Sequence, residues 1–323
     1  MKAWLVERIT EAGEMHMVER PAPEPGPQDY LVRVEAAGVN FLDTLVLRGR
    51  YQRKPALPFV PGVEVVGTII KGGADAPLAA GARICASIET GAFAEQALVP
   101  ANAARLVPED VPPEEALVLL GVNYPTSYYA LHNRAGLKSG ETVLVHAAAG
   151  GVGSAAVQIA KAAGCRVIAT AGTEEKRDIC RELGADEVID YTAPDWVDRL
   201  RAATGGAGAD VIYDPVGGET GVQSLRCLAW RGRYLVIGFA AGTIPQLPSN
   251  RLLLKDASAM GVLWGEVCKR DPATADQVAN AVLELFRKGR LSPLIGGRFP
   301  LQDAREALDR LGRRATVGKI LLY

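Results

Sequence analysis

The sequence predicts an α/β protein of two domains, a β-rich lobe followed by a doubly wound parallel sheet. Three observations carry this expectation. The chain has 323 residues, more than one typical hydrophobic core organises. Short β-type runs punctuated by glycine and proline fill residues 1 to about 120. From residue 142 onward, strand and helix patterns alternate regularly.

In the first region, residues 31–35, 63–70 and 82–86 read as strands, and the spacing of turn signals suggests a barrel-like lobe. The proline-rich stretch 21–27 reads as a stiff surface connection. After Pro112 the pattern predicts a helix over 114–132, then a strand over 142–146. A helix over 153–163 is closed by Gly164, and the next strand covers 166–170. A helix over 174–183, capped by Gly184, precedes strands at 187–190, 210–213 and 234–237. Beyond Asp271 come helices over 274–288 and 301–311 and a last β run at 318–322. That tail is too short to form a domain alone. The expected division is therefore 1–121 completed by 266–323, with 122–265 between them.

Composition limits the function. With 36 basic and 37 acidic side chains, the net charge of −1 offers no surface of one sign for nucleic acid or an anionic membrane. No run approaches the ~20 apolar residues of a membrane span, and Glu7 and Arg8 interrupt any leader-like start. The five cysteines, Cys85, Cys165, Cys180, Cys227 and Cys268, are dispersed without a C-x-x-C pair, which reads as reduced thiols in a cytoplasmic protein.

The strongest signal is His146-Ala-Ala-Ala-Gly-Gly-Val-Gly153, placed between a strand and a helix. This is the context of a dinucleotide-binding turn, with Ala148, Gly150 and Gly153 at the glycine positions. Gly150 lets backbone approach a pyrophosphate, Gly153 lets helix pack on strand, and the helix N-terminus through Gly151 and Val152 holds the anion. Ala148 replaces a first glycine if its φ stays negative. An NAD site usually ends the second strand with Asp or Glu, on the ribose 2′-OH. Here the strand runs out through Thr170, Ala171, Gly172 and Thr173, with Lys176 and Arg177 a turn later. A neutral strand end beside an ammonium favours the 2′-phosphate of NADPH, unless Lys176 only pairs with Glu174 and Glu175 on a solvated face.

Together with Gly38-Val-Asn-Phe-Leu-Asp43, Arg48-Gly-Arg-Tyr51, Pro61-Gly-Val-Glu64 and Gly91-Ala-Phe-Ala94, this turn resembles the zinc-independent quinone oxidoreductase (zeta-crystallin-like) branch of the medium-chain dehydrogenase/reductase superfamily. The resemblance implies a GroES-like β-rich catalytic domain plus a Rossmann domain. It also implies an NADPH cofactor, a quinone or enone acceptor and a homodimer through the Rossmann sheet edge. By the same resemblance Asn40 and Thr126 would line the nicotinamide and acceptor end, and Tyr51 would cover the acceptor. Asp43 would orient its neighbours. Gly172, Thr173, Lys176, Tyr191 and Arg314 would surround the adenosine ribose and its phosphate. Val216, Gly217, Gly238, Phe239, Leu263, Trp264 and Gly265 would follow the cofactor along the strand ends. Phe239 and Trp264 depart from the family pattern, which bears on acceptor size. Val63 stands where zinc relatives carry a histidine ligand, and His16, His132 and His146 are far apart, so no zinc site is expected.

Hydride transfer asks the protein for position and a dry pocket. Negative charge gained by a quinone oxygen would be met by the Asn40 amide or the Tyr51 hydroxyl, or Tyr51 would serve as an aromatic wall. Two alternatives stand beside quinone reduction: reduction of an activated C=C bond, and a structural or RNA-binding protein that keeps the cofactor fold.

Overall fold

The computed structural model describes residues 1–52 and 54–323. The chain divides into two compact units, Met1–Val122 with Ile295–Tyr323, and Asn123–Leu294. Among the described residues, the first unit contributes strands β1 (Lys2–Leu5), β2 (His16–Glu19), β3 (Asp29–Val39), β4 (Glu64–Gly72), β5 (Arg83–Ser87), β6 (Gln96–Pro100) and β7 (Arg105–Leu106). The second contributes β8 (Thr142–Val145), β9 (Arg166–Thr170), β10 (Glu187–Ile189), β11 (Ala209–Asp214), β12 (Leu228–Val236) and β13 (Ser258–Gly261). The chain then returns to the first unit with β14 (Ile295–Phe299) and β15 (Lys319–Leu322).

In the first unit the strand path is β14-β15-β3-β4-β5-β7, with β6 also on β3. The 11-residue β3 is long enough to serve three partners. Its first half pairs with β6, its last residues with β15, and most of its length with β4. The path runs from β14 to β7, and isolated bridges Ala3–Ala94 and Val6–Phe59 tie the N-terminal segment to the same lobe. Tyr30, Val32, Val65, Ile69, Ile84, Phe93, Val99 and Ile320 fill its core.

The second unit is a six-stranded sheet in the order β10-β9-β8-β11-β12-β13, parallel throughout. The order reverses between β8 and β11, and doubly wound sheets bind ligands at the carboxyl ends of strands flanking such a reversal. Val143, Leu144, Val145, Val167, Ile168, Val211 and Ile212 are fully buried. Near-continuous apolar strands of this kind belong to a parallel sheet covered on both faces.

Two expectations change. The helix expected over 114–132 is divided into Pro113–Leu120, Asn123–Tyr128 and a wider π turn, Tyr129–Arg134, because Gly121 leaves the helical region (φ −76, ψ −110). The second difference is that residues 266–294 belong with the second unit, the return coming at Ile295. The helix Pro272–Arg287 explains it. Its buried stripe of Ala275, Val278, Ala279, Val282 and Leu283 has helical spacing, and the helix packs against Asn123–Tyr128.

Candidate active site

In the second unit, β8 ends at Val145 and the chain turns through Ala147, which takes a left-handed conformation (φ 48). Ala148 is fully buried and its N–H donates to the Thr170 carbonyl (3.1 Å), tying the turn to the end of β9. The helix Gly151–Ala162 starts from Gly150 as its N-cap. A Cβ at Gly153 would lie 2.2 Å from the Ala147 carbonyl oxygen and 2.8 Å from the Ala148 Cα. Only glycine lets this helix start so close to the turn. Its first-turn N–H groups, at Gly151, Val152 and Gly153, have no acceptor within the helix, an arrangement suited to an anion.

Beyond β9, Gly172 faces the Tyr191 ring, and a Cβ there would stand 3.3 Å from Tyr191 Cε1. Thr173 caps the helix Glu174–Glu182, its Oγ1 accepting from the Lys176 N–H at 3.3 Å. Arg177 is held by Glu174 and by Asp190 (2.9 Å). Asp190 also accepts from the Thr192 hydroxyl and N–H, and these bonds, then Arg177, hold its carboxyl below the usual range.

At the end of β11 the buried Asp214 organises the next turn. Its Oδ1 accepts from the N–H groups of Val216 (2.7 Å) and Gly217 (3.0 Å), and the Tyr234 hydroxyl donates to Oδ2. Gly217 is left-handed (φ 68), with Phe239 packed against it, 3.1 Å from where a Cβ would stand. Gly238 N–H reaches back to the Asp214 carbonyl (3.4 Å). Leu263 is half exposed, whereas Trp264 is buried with its ring 5.8 Å from that of Tyr129, and a Cβ at Gly265 would meet open space.

His146, fully buried at the end of β8, joins three elements. Ser224 Oγ donates to the Thr220 carbonyl (2.6 Å) and therefore accepts from His146 Nε2 (2.7 Å). Nδ1 is then the acceptor of the Thr170 hydroxyl (2.9 Å). Burial lowers the pKa of this imidazole, with Asp214 opposing, so the ring is neutral.

Thr126 lies on the short helix Asn123–Tyr128. Its neighbour Ser127 shares its one hydroxyl proton between the Asn123 and Val152 carbonyls (2.9 Å each) and receives the Tyr213 hydroxyl (2.8 Å), which anchors that helix to the glycine turn. Thr126 Oγ1 and Asn123 Oδ1 are buried without a hydrogen-bond partner among the described residues. Native proteins rarely leave such atoms unpaired, and the two sit on the helix tied to the turn that would receive a dinucleotide. The glycine cradle and these two atoms fit a dinucleotide cofactor.

In the first unit, Asn40 ends β3's extension and caps the helix Phe41–Leu47. Its N–H donates to the buried Asp43 (2.7 Å), whose carboxyl burial raises to a pKa of about 7. The Asn40 carboxamide is engaged at both ends. Nδ2 donates to Glu64 Oε2 (2.9 Å) and the Gly38 carbonyl (3.3 Å), and Oδ1 accepts from Lys319 Nζ (2.8 Å). Tyr51 is partly buried, its N–H directed to the Leu45 carbonyl (3.3 Å). Arg314 is exposed in this unit and takes a left-handed conformation (φ 57).

Among the described residues no group of three or more His, Cys, Asp or Glu could hold a metal ion, and no helix is long and apolar enough to cross a membrane. Residues 26–109 match the alcohol dehydrogenase GroES-like domain family, and residues 151–284 the family described as zinc-binding dehydrogenase. The chain is 39% identical over 316 residues to quinone oxidoreductase-like protein 2 of Rattus norvegicus, covering 97% of this chain and 90% of that relative. The chain belongs to the quinone oxidoreductase branch of the medium-chain dehydrogenase/reductase superfamily. As a member it is an oxidoreductase. It is also 36% identical to the quinone oxidoreductase of Homo sapiens, over 93% of this chain and 90% of that one. The solved structure of Escherichia coli quinone oxidoreductase complexed with NADPH superposes with a TM-score of 0.92 at 30% identity, covering 100% of this chain and 99% of that one.

Sequence reasoning assigned no role to Glu64, Lys319, Asn123, Ser127 or Asp214. A signal existed for the first two. Each is a charged residue placed directly before an apolar run, Glu64 before Val65-Val66 and Lys319 before Ile320-Leu321-Leu322. The others act through contacts between distant segments.

His146 makes stability depend on pH. Its folded pKa lies below the ordinary ~6.5, so the unfolded state takes up the proton first as pH falls. The contribution is intact above about pH 7 and is lost progressively toward and through the folded pKa. The buried Asp43 carboxyl, raised to about 7, acts in the opposite direction over the same range, so the measure of His146 is the difference between wild type and His146→Gln. In urea unfolding His146→Gln should be less stable at pH 7, and the gap should narrow toward pH 5 by at most ~1.4 kcal/mol per pH unit. A gap that stays constant from pH 7 to pH 5 would assign the pH dependence elsewhere.

Proposed function

We propose that the protein is an NADPH-dependent quinone oxidoreductase that moves hydride from the nicotinamide to a quinone-like acceptor without zinc. The observation that carries this reading is the glycine-tight start of the helix Gly151–Ala162, beside a second strand that ends without a carboxylate. The relatives' quinone oxidoreductase names and the NADPH in the Escherichia coli complex support it.

NADPH, when bound, supplies the hydride. The N–H groups of Gly151, Val152 and Gly153 hold the pyrophosphate, with Ala148 and Gly150 shaping the turn. Gly172, Thr173, Lys176 and Tyr191 take the ribose and its 2′-phosphate. Val216, Gly217, Gly238, Phe239, Leu263, Trp264 and Gly265 flank the cofactor at the strand ends. Thr126 Oγ1 would take its missing hydrogen-bond partner from the nicotinamide end. Asn40 and Tyr51 meet the acceptor. Because both N–H groups of Asn40 already face protein acceptors, its part is to shape the acceptor position, and Tyr51 supplies a flat wall. Two side chains support zinc-free chemistry: Val63 offers no ligand, and the buried Glu64 is engaged by Lys319, Asn40 and Val122.

We also propose a homodimer through the second unit. There β13 is an edge strand, and Leu253 (81% exposed) and Leu254 (74%) lie near it in sequence without cover. Light scattering should give twice the chain mass, and Leu253→Asp with Leu254→Asp should shift it toward one copy. A wild-type monomer at micromolar concentration would exclude the dimer.

Two measurements address the cofactor and the acceptor. NADPH should bind more tightly than NADH, and Lys176→Ala should lose roughly 1.5–3 kcal/mol of that preference, about 10- to 100-fold in affinity. Equal wild-type affinities would overturn the NADPH assignment. Protein dialysed against a chelator should oxidise NADPH with a quinone, and Tyr51→Phe should keep that turnover. Turnover of an α,β-unsaturated carbonyl but no quinone would shift the reading to C=C reduction, and turnover that requires added zinc would end the zinc-free mechanism.

A further inference from the structure

Glu64 and Lys319 are charged residues almost entirely withdrawn from water, at 0% and 2% exposure. Their strands β4 and β15 are far apart in sequence and both pair with β3. Lys319 Nζ donates to Glu64 Oε2, and the other carboxylate oxygen accepts from the Val122 N–H (2.7 Å). A buried ion pair is a poor source of stability, since apolar residues of the same volume commonly do as well or better. What distinguishes this pair is its third member. The Asn40 carboxamide bridges it, Nδ2 to Glu64 and Oδ1 to Lys319, while Asp43 holds the Asn40 backbone N–H.

The surroundings keep this arrangement tight. A Cβ at Gly38 would fall 2.3 Å from Glu64 Oε2 and 2.7 Å from Lys319 Cε. At Gly121 it would fall 1.8 Å from Glu64 Oε1. Both glycines are needed for the carboxylate to sit where it meets Asn40. Reversing the Asn40 amide would aim its NH2 group at an ammonium and its oxygen at a carboxylate, so the pair permits one orientation only.

We propose that Lys319 and Glu64 are positioning residues for the reaction, a charge clamp that fixes the Asn40 carboxamide in a single orientation at the acceptor. The clamp rests on the reading that Asn40 meets the acceptor, and the test separates the two. The proteins to compare are wild type, Asn40→Ala, Lys319→Met, Lys319→Met/Glu64→Gln and Asn40→Ala/Lys319→Met. Fluorescence titration with NADPH counts competent sites and gives Kd, and steady-state turnover of a quinone gives kcat and KM.

The clamp requires Asn40→Ala and Lys319→Met each to lower quinone kcat/KM about tenfold or more, with NADPH Kd changed less than about twofold. It also requires Asn40→Ala/Lys319→Met to be no worse than the poorer single variant, because both act through one carboxamide. Lys319→Met leaves a buried carboxylate unpaired and could unfold the protein. The variant Lys319→Met/Glu64→Gln has no such charge and should show the same loss of kcat/KM. Wild-type kcat/KM in that variant, with only thermal stability altered, would reduce the pair to a structural role and overturn the proposal. So would losses that multiply in Asn40→Ala/Lys319→Met. A silent Asn40→Ala beside an impaired Lys319→Met would instead overturn the acceptor-contact reading, and the clamp with it.

Discussion

The close approach of the helix Gly151–Ala162 to the turn at Ala147 is the contact on which the second unit's site depends. With Gly153 there, the helix begins against the backbone of the turn, and its free N–H groups stand at the carboxyl end of β8. A methyl group at that position would have to displace a carbonyl oxygen 2.2 Å away, moving the helix and the partial positive charge it carries. Three other features are built around the same turn. Ala148 ties it to β9, His146 ties it to β9 and to the helix Gly218–Ser224, and Ser127 ties it to the helix that bears Thr126.

The neighbouring strand end follows the same logic with a different device. Asp214 gathers the N–H groups of Val216 and Gly217 and receives the Tyr234 hydroxyl, so one buried carboxylate shapes a turn without a covalent constraint. The lobe formed by the first unit has a buried charge of its own at Glu64, satisfied by Lys319, Asn40 and Val122. Among the described residues of both units, polar groups withdrawn from water are paired nearly completely, and the few exceptions, Thr126 and Asn123 among them, stand out against that background.

Much of this was legible in the residues. Apolar runs of four to six residues separated by helical segments require a parallel, doubly wound sheet, and glycine at 150 and 153 between a strand and a helix requires a tight turn. The strand end without a carboxylate was equally visible, because it is a local property of residues 170–173. The family resemblance extended this to Asn40, Tyr51 and Thr126 by position alone.

What only the tertiary structure decided depends on partners distant in the chain. The helix Pro272–Arg287 shows an apolar stripe in the sequence, but the stripe does not say which surface it covers, and it joins the second unit. Arg177 and Lys176 are adjacent basic residues, and only folding brings Asp190 to claim Arg177. Glu64 and Lys319 are charges at the starts of two distant strands until β4 and β15 pair with the same β3 and bring them to Asn40. Local pattern determines which segments form strands, helices and tight turns, since that depends on neighbours in sequence. The pairing of buried charges depends on which strands meet, and the sequence by itself leaves that open.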